Sequence, residues 1–183
     1  MSLQSARFSP LSRWLHWLMA AMVLAMLFLG IGMAATVSDR YRLLVAIHRP
    51  LGIAILVLVA IRLVNRLLHP PPPLPDSLPT LQRAAAKASH AVLYALMFLM
   101  PLLGWGMLSA APYPVMIFGS LQLPPILPQS PTLYALLRAL HTDCAYLLFA
   151  VFLAHLGAAL MHGLIRRDGV FDSMAAWGRR SKP

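Results

Sequence analysis

Residues 136–164 read LLRALHTDCAYLLFAVFLAHLGAALMHGL, an apolar stretch that carries histidines at positions 141, 155 and 162. The intervals of fourteen and seven residues between them are close to whole numbers of turns in a helix of 3.6 residues per turn. The three side chains therefore share one helix face, and His141 and His155 are separated by roughly 21 Å along the axis. Ionisable side chains inside a membrane helix are costly and by default mark function. We therefore predict that this stretch is a functional membrane-spanning helix.

The composition of the whole chain is that of a membrane protein. The 183 residues are 60% hydrophobic and 11% charged, with no glutamate, whereas a soluble domain carries about 25% charged residues. The net charge of +10 would suit nucleic acid, but the positive residues fall in short segments between apolar stretches, as membrane topology requires. We predict membrane lipid as the surroundings and no nucleic-acid partner. Cys144 is the single cysteine and predicts no internal disulfide.

Four apolar stretches are long enough to cross about 30 Å of hydrocarbon. They cover residues of about 14–35, 45–65, 89–110 and 136–164. We predict one domain over residues 1–183, an all-α integral membrane four-helix bundle. A cleavable signal peptide is the alternative for the first stretch, but its apolar run exceeds the usual length of about 7–15 residues.

The distribution of lysine and arginine predicts the orientation of the bundle. Eleven of the fifteen positive residues fall on one side of the four spans, and this side is predicted to be cytoplasmic. They are Arg7, Arg13, Arg62, Arg66, Arg83, Lys87, Arg166, Arg167, Arg179, Arg180 and Lys182. The other four are Arg40, Arg42, Arg49 and Arg138. Both termini are therefore predicted to be cytoplasmic, in a multi-pass membrane protein.

Two loops are rich in proline. The cytoplasmic run His69-Pro70-Pro71-Pro72-Pro73-Leu74-Pro75 cannot continue a helix, so it is predicted to end the second span and act as a stiff spacer. A docking site for a partner is the alternative reading of this run. The outer loop, residues 111–131, is nearly uncharged and is predicted to lie on the membrane surface or to fold over the bundle.

Six of the seven histidines fall within the spans or at their ends, and they fall at two depths. The second and fourth spans are predicted to enter the membrane from the outer side, so His48 and His141, near the start of these spans, should lie near the outer face. The inner set is His16, His90, His155 and His162. Two pairs of imidazoles at two depths are the pattern that two stacked porphyrins would need.

Haem is the predicted cofactor because a six-coordinate haem takes two axial ligands, and neutral imidazole serves well as each of them. His48 and His141 are the outer pair. His16 and His155 fit the inner pair, for which the other two inner histidines compete. Such a protein would move single electrons between the two aqueous sides. Proton relay or metal transport is the alternative, but metal transport sites usually recruit carboxylates, and the spans hold only Asp143.

The order of several short motifs resembles the bacterial cytochrome b561 family over nearly the whole chain. They are Arg13-Trp14-Leu15-His16-Trp17, Ile47-His48 with Gly52, Arg62-Leu63-Val64-Asn65-Arg66, Pro71-Pro72-Pro73-Leu74-Pro75, Ser89-His90, Pro101-Leu102-Leu103-Gly104-Trp105, Leu140-His141, His155, Ala158-Ala159-Leu160-Met161-His162 and Arg167-Asp168-Gly169-Val170. Each motif alone is weak, whereas their order together with the histidine depths is fairly specific.

The resemblance implies a four-helix bundle with two b-type haems in the bacterial inner membrane. It implies His16 and His155 as axial ligands of one haem iron and His48 and His141 as those of the other. Family members that oxidise superoxide also have two histidines near a ubiquinone at the inner side, at the positions of His90 and His162. One departure is that His162 is followed by Gly163, where some relatives have two adjacent histidines.

The expected function is an oxidoreductase of the superoxide:ubiquinone type. Periplasmic superoxide would be attracted by the outer arginines and oxidised to dioxygen, with ubiquinone as the electron acceptor. Those arginines are Arg40, Arg42, Arg49 and Arg138. The alternative is a cytochrome b anchor and electron-transfer subunit of a larger dehydrogenase, hydrogenase or reductase, with a redox partner protein. The third hypothesis is a haem-free transporter or interaction protein.

Overall fold

The structure, a computed structural model, describes residues 7–75, 77–118 and 120–175. Its elements are α1 (Pro10–Ala35), α2 (Arg40–Leu68), α3 (Thr80–Ala110), β1 (Val115–Ile117), β2 (Leu121–Leu123), α4 (Pro131–Leu160), a π-helical turn (Met161–Arg166) and α5 (Val170–Ala175). Three of the positive residues used to predict the orientation, Arg179, Arg180 and Lys182, lie outside the described residues.

Four helices are long and apolar enough to cross a membrane, and they confirm the predicted all-α membrane bundle. Each begins earlier than its predicted apolar stretch, by nine residues in α3, which starts at Thr80 rather than near Ser89. The nine added residues include Ala84, Ala85 and Ala86, and alanine has the highest helix propensity. Hydropathy locates the part of a helix that lies in hydrocarbon, so it misses the polar turns that extend from the membrane.

The helices bury an apolar layer halfway along the bundle. Its buried members come one from each long helix: Val23, Ile55, Leu96 and Leu148. Leu148 lies seven residues from both His141 and His155 along α4, which is about 10 Å in each direction. Cys144 packs against this layer as a partly buried side chain. The four-helix core therefore separates the two histidine levels predicted from the sequence.

The outer loop folds as a β-hairpin, which the sequence pattern did not predict. Strands β1 and β2 pair antiparallel, with Val115 opposite Leu123 and Ile117 opposite Leu121. Strand β1 contacts α2 and α3, and its residues Val115 and Ile117 are buried. The loop therefore folds over the bundle, which is one of the two arrangements predicted for it. Phe118 at the turn is 80% exposed.

The opposite end of the bundle is closed by the segment after α4. The π-helical turn leads to Arg167, which has left-handed backbone angles (φ 50°, ψ 39°), and to Gly169 with φ 82°. Helix α5 then packs back on the turn, with the Phe171 ring against Gly163. We call residues 161–175 the inner cap because they lie at the end that is predicted to be cytoplasmic.

Candidate functional site

The outer histidines meet between α2 and α4. The ring centroids of His48 and His141 are 6.2 Å apart, with planes inclined by 63°. The Nδ1 atoms of both rings are buried and have no hydrogen-bond partner among the described residues. Hydrogen bonding through these atoms therefore does not explain why two polar rings face each other inside an apolar bundle.

Helix α3 approaches the outer pair through a glycine. A Cβ built on Gly104 would lie 3.4 Å from His141 Cε1 and 3.7 Å from His141 Nδ1. These are contact distances, so any side chain larger than a methyl group would push on the imidazole. Gly104 therefore makes room for the His141 ring in its present orientation.

The inner level holds three histidines from three helices. The His16 and His155 ring centroids are 6.2 Å apart, the same separation as in the outer pair. His90 on α3 also contacts His155, with a centroid separation of 5.5 Å. Trp17 packs edge-on to His16 at 5.3 Å. The structure thus brings together the predicted inner ligands and one of their two predicted competitors.

The separation of 6.2 Å suits an iron atom held between two imidazoles. A metal–imidazole bond is about 2 Å long, so two such bonds in line, with the half-width of each ring added, span roughly 6 Å. Among the described residues, histidines, cysteines and acids form no group of three or more that could hold a metal ion alone. The donor set is therefore paired neutral imidazoles, which is the set that a b-type haem uses.

Arg62 contacts the inner level from α2. Its Nη2 lies 3.2 Å from His16 Nδ1, its Nε donates to the Tyr94 hydroxyl at 3.1 Å, and its Nη1 donates to the Ser12 carbonyl at 3.2 Å. A guanidinium has no acceptor, so His16 Nδ1 must accept in this contact. Iron binding by His16 Nε2 would place the imidazole proton on Nδ1, and Arg62 would then keep its other two partners.

Neighbouring residues hold the Arg62 network in place. Asn65, one turn further along α2, is buried and donates to the Ser12 hydroxyl at 2.7 Å. The Arg66 guanidinium lies over the Tyr94 ring, 5.7 Å from its centroid. The 62–66 motif therefore joins α2 to both α1 and α3 just below the inner histidines.

His162 lies in the inner cap, in the π-helical turn that follows α4. Its Nδ1 is 2.7 Å from the Asp168 carboxylate, and both side chains are 13% exposed. Arg166 Nε lies 3.3 Å from the same carboxylate oxygen. In the structure His90 packs on His155, whereas His162 pairs with Asp168.

The four outer arginines differ in solvent exposure and in ion pairing. Arg40 and Arg42 begin α2, and both are exposed. Arg42 forms an ion pair with Asp39 at 2.7 Å, which offsets its charge. Arg138 is exposed on α4, and Arg49 is half-buried beside His48 in the sequence.

Sequence reasoning missed Arg62, Tyr94 and Asp168 as site residues. The signal for Arg62 was present, because a cation between Ile61 and Leu63 near the end of a span is an intramembrane charge as well as a topology signal. Asp168 lies in the Arg167-Asp168-Gly169-Val170 motif of the resemblance, whereas Tyr94 had no comparable signal. Their roles depend on which helices come together at the inner end.

The sequence of this chain is similar to known proteins over nearly all of its length. Residues 7–177 match the family described as prokaryotic cytochrome b561. Cytochrome b561 homolog 2 of Escherichia coli (strain K12) is 30% identical over 171 residues, which cover 92% of this chain and 90% of the relative. Cytochrome b561 homolog 1 of the same organism is 29% identical over 176 residues, covering 92% and 96%.

Proposed function

Because the chain belongs to the prokaryotic cytochrome b561 family of membrane electron-transfer proteins, we propose that it oxidises superoxide at its outer end and reduces ubiquinone at its inner end. The balanced reaction is two superoxide ions, one ubiquinone and two protons giving two dioxygen molecules and one ubiquinol. Family membership implies b-type haem and a multi-pass location in the bacterial inner membrane.

The arrangement of the imidazoles is the observation that carries the proposal. Two pairs with the same 6.2 Å separation stand at the two ends of one apolar layer. When bound, a b-type haem at each level supplies one-electron ferric/ferrous chemistry. His48 and His141 would hold the outer haem, and His16 and His155 the inner one. His90, at 5.5 Å from His155, is closer than the roughly 6 Å that an iron between two imidazoles needs.

The side chains of this protein orient the cofactors and control access to them. Leu148 and the other members of the apolar layer exclude water between the two levels, so charge crosses the bundle only as electrons. Arg62 keeps a positive charge beside the inner level, where it favours the arrival of an electron. Positive charge at the outer end, from Arg40, Arg49 and Arg138, increases the encounter rate with a small anion.

Ubiquinone takes the electrons at the inner end in this proposal. His90 and His162 offer ring nitrogens that can bond its carbonyl oxygens. Protons come from the same side, which the charge distribution predicts to be the cytoplasm. Because the haems would supply the redox chemistry, the protein forms no covalent bond to ubiquinone in this proposal.

The test is a rapid-mixing spectrum of the purified protein in detergent. Haem content is measured first, and the protein is then mixed with potassium superoxide, with and without a short-chain ubiquinone. Two b-type haems that are reduced by superoxide and reoxidised by the quinone would support the proposal. Two haems that ignore superoxide would overturn it in favour of an electron-transfer subunit of a larger dehydrogenase, hydrogenase or reductase. Protein without haem would contradict both.

A further inference from the structure

A basic cleft lies beside the inner end of the bundle. The residues that line it come from α1, α2 and α3 and from the short segments next to them, and they include Ser12, Arg62, Asn65, Arg66 and Tyr94. The cleft has about 240 Å³ of empty space, and its enclosed part has room for roughly one water molecule. It therefore admits the oxygen atoms of a group that approaches from outside rather than a whole molecule.

Two arginines give this cleft its positive charge. Arg62 and Arg66 are one helical turn apart on α2 and both are half-buried, and like charges at this spacing repel each other. Four of the five aspartates belong to the described part of the chain, which has no glutamate, and none of these four pairs with either arginine. Two charges in such a place are stabilised when an opposite charge meets them. The cleft is therefore suited to an anion.

The two guanidinium groups differ in how their donors are used. Arg62 contacts the Tyr94 hydroxyl, the Ser12 carbonyl and His16 Nδ1. Arg66 instead lies over the Tyr94 ring, and its N–H groups donate to none of the described residues. These N–H groups form a planar fork that matches two oxygen atoms of a phosphate. Arg66 is therefore suited to bind an anion directly, and Arg62 adds a second charge next to it.

The surface around the cleft indicates where this anion comes from. Trp14, near the start of α1, is exposed, and tryptophan favours the headgroup level of a bilayer. Ile61 and Val64 are exposed on the neighbouring strip of α2 and run from the cleft towards the middle of the span. A dissolved anion would not use this apolar strip, whereas the acyl chains of a lipid would cover it. Basic pockets between membrane helices on the cytoplasmic side bind lipid headgroups in this way.

The cleft is separate from the space between the inner histidines. Arg62 contacts Nδ1 of His16, whereas an iron atom held with His155 would take Nε2, on the other side of the ring. No residue of α4, the helix that carries His155, is among the described residues that line the cleft. The position of the cleft therefore favours an anion other than the carboxylates of a haem.

We propose that this cleft binds the phosphate of an anionic phospholipid, with Arg66 as its direct partner and Arg62 as the second charge. The proposal holds whatever the electron donor and acceptor are. Because Arg62 also contacts His16, the bound phosphate offsets part of the positive charge beside the inner level. An added electron is then less stabilised, so anionic lipid lowers the midpoint potential of the inner haem.

The binding test is native mass spectrometry of the full haem-containing chain, titrated with phosphatidylglycerol or with phosphatidylcholine of the same acyl chains. The unmodified chain should bind phosphatidylglycerol more tightly. Arg66→Gln should weaken this binding by roughly fivefold, which corresponds to about 1 kcal/mol for one basic residue. Arg66→Lys keeps the charge without the fork and should keep part of the affinity. Lys87→Gln is the matched control, because Lys87 is an exposed cation on α3 outside the cleft, and it should bind as the unmodified chain does.

A second measurement is a redox titration in nanodiscs of phosphatidylcholine, with and without phosphatidylglycerol. The inner haem should have the lower potential when phosphatidylglycerol is present, and Arg66→Gln should lose most of this difference while Lys87→Gln keeps it. Equal affinity of the unmodified chain for the two lipids would overturn the proposal. Displacement of phosphatidylglycerol by an equal concentration of inorganic phosphate would replace the lipid with free phosphate as the ligand. Loss of the inner haem from Arg66→Gln with unchanged lipid affinity would assign Arg66 to the haem carboxylates and refute the lipid site.

Discussion

The Nη2 atom of Arg62 lies 3.2 Å from Nδ1 of His16, so a guanidinium from α2 touches a predicted haem ligand on α1. A donor-only side chain in this place puts positive charge beside the inner level without competing for the iron. The same guanidinium bonds Tyr94 on α3, and so one residue links three helices where electrons are expected to leave the bundle.

Arg62→Gln should lower the midpoint potential of the inner haem, because a nearby positive charge stabilises an added electron. We expect a decrease of about 60 mV or more, which is a tenfold change for a one-electron couple. Arg62→Lys keeps the charge and should change the potential less. A redox titration that follows each haem band separately measures both, and equal potentials in all three proteins would contradict the prediction.

His141→Ala should remove the outer haem and leave the inner one, since His48 alone supplies a single axial ligand. His155→Ala should do the reverse. Haem content per chain should fall to about half in each variant, with a different band lost from the spectrum. His69→Ala is the control, because His69 is exposed beyond the end of α2. Retention of both haems in His141→Ala would refute the pairing.

Gly104→Val should weaken the outer site alone, because its side chain would be forced against the His141 ring, which a Cβ already approaches to 3.4 Å. Overpacking of this kind costs about 1–3 kcal/mol. We expect loss of outer haem on dilution into detergent, with the inner haem retained. Gly104→Ala fits at contact distance and should retain both haems, which separates crowding of the ring from loss of the glycine itself.

Gly163→Ala should loosen the inner cap, because a Cβ there would lie 3.0 Å from the Phe171 ring. The same close approach leaves little room for a larger side chain at position 163. Limited proteolysis should then cut the segment that follows Arg166 faster than in the unmodified chain. Gly157→Ala is the matched control on the same helix, since its Cβ would meet nothing within 4 Å. Equal cleavage of both variants would contradict the role assigned to Gly163.

Charge at the outer end should control the encounter with superoxide. The double variant Arg40→Gln with Arg138→Gln should slow the second-order reduction of haem by roughly two- to tenfold at low salt. The difference should vanish at high ionic strength, because salt screens exposed charges. Asp39→Asn should act in the opposite direction, since it frees Arg42 from its ion pair. A rate that does not depend on salt in any of these proteins would exclude steering.

The sequence by itself determined the membrane fold and the two levels of histidine. Both follow from properties that depend on the chain locally, namely the length of apolar runs and the 3.6-residue period that puts His141 and His155 on one face. Dependence on local pattern also explains why the predicted helix starts were wrong, because α3 begins nine residues before its apolar part.

Only the tertiary structure decided which polar groups surround those histidines. Arg62 meets His16 across 46 positions of sequence, and Tyr94 joins them from a third helix. The contact between His162 and Asp168 depends on a π-helical turn and a left-handed Arg167 that no periodicity encodes. The hairpin at the outer end likewise has little local signal. Contacts between distant segments arise from how the helices pack, and packing depends on the shapes of all partners at once.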